Sequence, residues 1–183
     1  MLRASQNYLQ HLQSRQRAYE SATRAMSAAK VLSAANLEER SQLQDRRTLV
    51  QNFLSANAGL KTAVQQGETN YRAELTAFDI SPQQKQAAVA GFMKSYSAQA
   101  PLLITIRDAD QRMGQAILGV LDLFDSQWGH WHYDASSRLV RFEEAKAVTQ
   151  YNAFMADIKH AGVDQAAAQQ RLAAVLGRSE QTL

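Results

Sequence analysis

The chain has 183 residues, a formal net charge of +3 and a pI near 9.3, with 45% hydrophobic and 20% charged residues. That length suits one domain, whose core would withdraw about 70% of the unfolded chain's surface from water. Two prolines and eight glycines exclude a fibrous or disordered composition, and zero cysteines exclude disulfides, thiolate metal sites and cysteine nucleophiles together.

The positive charge does not gather into the patch that nucleic-acid binding needs. The first fifty residues lean basic through Arg15, Arg17, Arg24, Arg40, Arg46 and Arg47, whereas Asp108, Asp110, Asp122 and Asp125 make the stretch after Pro101 acidic. Helices of complementary sign packing on one another are the expectation. The longest apolar run, Pro101 to Ile106, ends at Arg107, far short of the ~20 residues of a membrane span. Met1 stands directly before an amphipathic helix, as it would after loss of a targeting segment, so native export stays open.

A first helix is predicted from Leu2 to about Ala35, with Tyr8, Leu12, Tyr19 and Met26 on one face and small residues in the seam. Asn36 is the predicted N-cap of a second helix, since Glu38 and Glu39 would follow at the positive end of its dipole. Leu43, Val50, Asn57, Val64, Tyr71 and Phe78 then recur every seven residues, which predicts one helix of about 40 residues, about 60 Å long, that Gly59 and Gly67 weaken without breaking.

Ser81-Pro82 reads as the N-cap and first residue of a third helix. Pro101 should kink or briefly break it, because proline lacks the N–H and crowds the preceding turn. The stripe resumes through Leu103, Ile106, Met113, Ile117, Val120, Leu121 and Phe124. From about residue 130 to 142 the period changes to two: Trp131 and Tyr133 fall on one face, His130, His132 and Asp134 on the other, and Arg138 to Phe142 alternates again after a turn. This hairpin needs the bundle to persist. A fourth helix from Glu143 should carry Val148, Tyr151, Met155 and Ile158 inward and stop at Gly162, with Asp164 capping a last short helix. The fold class is therefore all-α: an elongated up-and-down bundle of four to five helices in a single domain, with one inserted hairpin.

Three constellations invite a functional reading. His130 and His132, two apart on a strand with Asp134 nearby, have the spacing of partial zinc ligands; the simpler reading is an amphipathic strand with its histidines in water. Asn57 in a heptad seam, with Arg107 and Asp110 interrupting the stripe after Pro101, reads either as a self-satisfied pair with a register-fixing asparagine or as a polar ligand pocket. Trp128, Trp131 and Tyr133 read either as a lid on the open end of the bundle or as a docking surface. Glycine-rich phosphate loops, hydrolase signatures, His-Glu-x-x-His and paired Glu-x-x-His motifs are missing from the sequence. No catalytic residue and no cofactor are expected.

The hairpin Trp131 to Phe142 leading into a helix with Tyr151-Asn152, preceded by long alanine- and glutamine-rich helices, resembles a family of uncharacterised bacterial exported helical lipoproteins. The lipidated cysteine of such proteins is not in this sequence. The resemblance implies a cell-envelope location and a lipid anchor in the native form, and it implies no activity. The expected function is a non-enzymatic, periplasm-facing bundle that binds a protein partner or a small ligand. The alternatives are a cytoplasmic helical adaptor or accessory subunit and, behind it, a metal-dependent enzyme built on His130 and His132.

Overall fold

Helix α1 (Leu2–Ala28) ends earlier than its periodicity predicts, because the chain reverses at Lys30. Lys30 adopts a left-handed backbone (φ 46°), Val31 N–H reaches back to the Met26 carbonyl and Lys30 N–H to that of Ser27. This is the glycine-type helix stop executed by a lysine, so no residue signal announces it. The computed structural model describes residues 2–180.

A 3-10 turn (Ala34–Asn36) follows, and helix α2 begins at Ser41. Asn36 is therefore not the cap of α2. Its carbonyl, with those of Val31 and Ser33, accepts hydrogen bonds from Arg46, a buried guanidinium that satisfies the linker's backbone. The amides of Glu38 and Glu39 are held instead by the Gln42 side chain.

The expected 40-residue helix is two: α2 (Ser41–Gln65) and α3 (Gly67–Thr76). Tyr96 donates its hydroxyl to the Val64 carbonyl at the interruption. A Cβ on Gly67 would run into the hydroxyls of Tyr96 and Tyr8, so the close approach of three helices requires glycine here. The heptad seam survives the break, with Leu43, Val50, Asn57, Val64 and Tyr71 all buried. Gly67→Ala is expected to destabilise the fold by about 1–3 kcal/mol through overpacking, despite alanine's better helix propensity. A denaturation midpoint equal to wild type would show that the tyrosines yield freely.

Helix α4 (Pro82–Ser126) starts as predicted, with a reciprocal bond pair between Ser81 and Gln84. It runs through Pro101 without the expected break. Pro101 and Ser97, whose carbonyl loses its helical partner, both lie on the solvent side, where that loss is least costly. Strands β1 (Trp131–Asp134) and β2 (Leu139–Phe142) pair antiparallel, Trp131 opposite Phe142 and Tyr133 opposite Val140. Helix α5 (Ala145–Glu180) is continuous, so Gly162 is no stop. Asp164 is not a cap but pairs with Arg112 at 2.7 Å. Ala147 is buried in place of the exposed Val148.

Among the described residues, five α-helices and one hairpin thus make an all-α bundle with an inserted two-stranded element. Helix α4 is its axis, flanked by α2, α3 and α5, with α1 laid along α2 and α3. The basic start of α2 faces the acidic end of α4, through Arg47 to Asp122 at 2.8 Å and to Asp125 at 2.9 Å, with Arg40 also on Asp125. The largest apolar cluster centres on Leu43, Val50, Val120, Leu121 and Phe124 beneath the hairpin. Tyr71, Leu75 and Val89 form another with Tyr8 around the α3–α4 turn. None of the described helices is long and apolar enough to cross a membrane.

Candidate functional site

Three places carry polar or aromatic side chains beyond what packing alone demands. The first is a buried layer at mid-bundle where the four long helices meet. Arg107 and Asp110, one turn apart on α4, pair at 3.1 Å, with the whole residues 8% and 1% exposed. The Tyr19 hydroxyl on α1 donates to Asp110 Oδ2 at 2.9 Å, and the Gln165 amide on α5 donates to Oδ1. Tyr19 also lies under the Arg107 guanidinium, 4.0 Å from the ring centroid. Asn57 on α2 completes the layer by donating to the Arg107 carbonyl at 2.8 Å. Burial pushes the Asp110 carboxyl up from its ordinary value, while Arg107, Tyr19 and Gln165 pull it back down.

Asn57, Arg107 and Asp110 stand out in the sequence as polar interruptions of apolar stripes, and the structure brings them into one layer. Tyr19 and Gln165 were not legible as members, since a tyrosine in an apolar stripe and a glutamine near a helix middle are both unremarkable. The groups are turned mainly on one another. Asn57 Oδ1 is buried without a bond, so Asn57→Leu removes an unsatisfied acceptor along with one donor. The expected change in unfolding free energy is within about 1 kcal/mol; a loss above about 2 would assign Asn57 a larger share of the network.

The second place is the hairpin. Trp131 stacks on Phe124 at 4.6 Å between centroids and donates its indole N–H to the Phe124 carbonyl at 3.0 Å. Trp128 meets Trp131 edge-on, and Tyr133 packs with them against the main cluster. His132 faces solvent, opposite Arg141 in the ladder. His130 Nδ1 lies 2.8 Å from Glu143, which raises its pKa, and Asp134 accepts from Ser136 and Ser137 in the turn, which lowers its own. These engagements leave His130, His132 and Asp134 separate rather than assembled, and no group of three or more potential ligands among the described residues could hold a metal ion. Chelator treatment and the double variant His130→Ala/His132→Ala are expected to leave the melting temperature unchanged. Stoichiometric zinc in the purified protein, lost in the double variant, would reverse that expectation.

The third place is a cleft of about 300 Å³ between α1, α2 and α3, which sequence reasoning did not find. Tyr8, Leu12, Gly59 and Ala63 form much of its apolar lining, and Arg15, His11 and Glu74 are its charged or titratable members. Its residues follow helical spacing on three separate segments, so no single stretch of sequence displays it. Comparison with family models, with curated proteins and with solved structures returns no match.

Proposed function

We propose that this chain is a non-enzymatic binding protein of the cell envelope, facing the periplasm, that holds a small ligand in the cleft between α1, α2 and α3. The observation that carries the binding reading is the cleft: a concave, partly apolar space of about 300 Å³ with a few convergent polar groups has the size and lining of a small-molecule site. The non-enzymatic part draws on the mid-bundle layer, whose buried charged and polar groups face one another rather than that cleft. The envelope location and a native lipid anchor draw on the resemblance carried by Trp131 to Asn152 and the helices before it.

Mass spectrometry of the protein purified from its native source under non-denaturing conditions tests the binding reading, with a small molecule released on unfolding as the expected result. Protein without bound mass, together with no thermal stabilisation by any compound of a metabolite library, would overturn it. Fractionation of the native cell tests the location, and recovery in the cytosol would overturn that part. The adaptor reading has one observation in its favour, the exposed Leu139 and Val148 beside the hairpin.

A further inference from the structure

Strand β2 has an edge that no other strand covers. The Glu143 N–H donates to the His130 carbonyl at 3.0 Å, and Trp131 stands opposite Phe142. Opposed residues of an antiparallel ladder alternate between exchanging main-chain bonds and exchanging none, so this one contact fixes the phase. Leu139, Arg141 and Glu143 turn their N–H and C=O groups toward β1, whereas Val140 and Phe142 turn theirs away from it. Among the described residues, no other element bonds these outward groups.

That edge is one wall of a groove of about 430 Å³, closed on its other sides by linker residues 32–35 and by Val148, Tyr151 and Asn152 of α5. Residues 138–142 all line it, so the strand presents its edge to the groove and not one of its two faces. Leu139 and Val148 make it partly apolar and are 53% and 40% exposed. Its charged lining is Arg138 and Arg141, with no carboxylate. Arg141 comes no nearer to Asp134 than 3.8 Å, and Arg138 has no ion-pair partner among the described residues.

Outward main-chain groups on an open edge select an extended segment, and the two arginines select its charge. A second copy of this chain laid along β2 would crowd four arginines into a ladder of four residues, and like charges across a ladder are destabilising. An acidic segment meets the same arginines as counter-charges. We infer that the groove binds an extended acidic segment of a partner protein, which adds a strand beside β2 with its carboxylates on Arg138 and Arg141 and its apolar side chains beside Val140 and Phe142. Four residues at about 3.3 Å each set the recognised length at about 13 Å. The inference is independent of the small-ligand reading, since the groove shares no lining residue with the cleft between α1, α2 and α3.

Fluorescence anisotropy with a labelled, end-capped Glu-Val-Glu-Val-Glu peptide tests it on wild type and on Arg138→Glu/Arg141→Glu, the latter checked for an unchanged helical spectrum. Wild type should bind this peptide about ten-fold or more tightly than Lys-Val-Lys-Val-Lys, because only the glutamates form charge-assisted bonds with the arginines. The double variant should reverse that order. Alternate amides of an extended segment face the same way, so of two peptides N-methylated on the valines or on the glutamates, one should lose binding and the other keep it. Equal behaviour of the two methylated peptides, equal binding of the glutamate and lysine peptides, or no binding of the glutamate peptide overturns the inference. A sedimentation mass of two chains, returned to one by the double variant, would put a second copy on this edge and overturn it too.

Discussion

Asp110→Ala should lower the unfolding free energy by about 3–5 kcal/mol, the cost of leaving a buried guanidinium without its counter-charge. Three donors lose their acceptor at once: the Arg107 guanidinium, the Tyr19 hydroxyl and the Gln165 amide. Against a total stability of about 5–15 kcal/mol this is a large fraction of what holds the fold together. The double variant Arg107→Leu/Asp110→Leu is the informative control, because removing both charges avoids the stranded cation and should recover most of the loss. Urea denaturation of the three proteins reads the result. A single-variant loss below about 1 kcal/mol would mean that water reaches Arg107 and that the layer is not dry.

Trp131→Ala should cost about 3 kcal/mol, the lower end of what deleting a packed aromatic costs, because Trp131 is only partly buried. It removes the stack on Phe124, the edge contact with Trp128 and the bond to the Phe124 carbonyl. Tyr133, Val140 and Phe142 still tie the hairpin to the bundle, but an isolated two-stranded element is marginal, so the loss should be concentrated there. Hydrogen exchange should accordingly accelerate in β1 and β2 more than in α2. An unchanged melting curve combined with loss of self-association or partner binding would reassign Trp131 from a covering role to a docking one.

The helical architecture and the hairpin were legible because both depend on periodicity, a property of the sequence itself. Ser81-Pro82 was legible for a similar reason: a cap and a proline at the first helical position act locally. The failures have other causes. Lys30 stops α1 without glycine, Gly67 stands between α2 and α3 where Tyr96 and Tyr8 press on it from other segments, and Gly162 stays inside α5. At Gly67 the outcome is decided by residues distant in sequence, and at Lys30 by a backbone conformation that the residue type does not announce. The same holds for the sites: Arg107 and Asp110 announce themselves by polarity inside an apolar stripe, whereas the cleft arises from three helices whose facing residues look ordinary one at a time.

The polar layer also bears on the order in which a growing chain can settle. Synthesis delivers α1, α2 and α3 first, yet the Tyr19 hydroxyl and the Asn57 amide meet their partners only when residues 107 and 110 arrive, 91 positions after Tyr19 in the case of Asp110. Until then the first three helices lack the long helix against which α2 and α3 bury their apolar faces. The N-terminal half should therefore remain loosely structured and protease-sensitive while α4 is still being made, and become resistant in one step afterwards. Limited proteolysis of ribosome-arrested chains ending before and well after residue 126 would display that step. A chain that delays its own consolidation in this way stays threadable through a narrow channel for most of its synthesis.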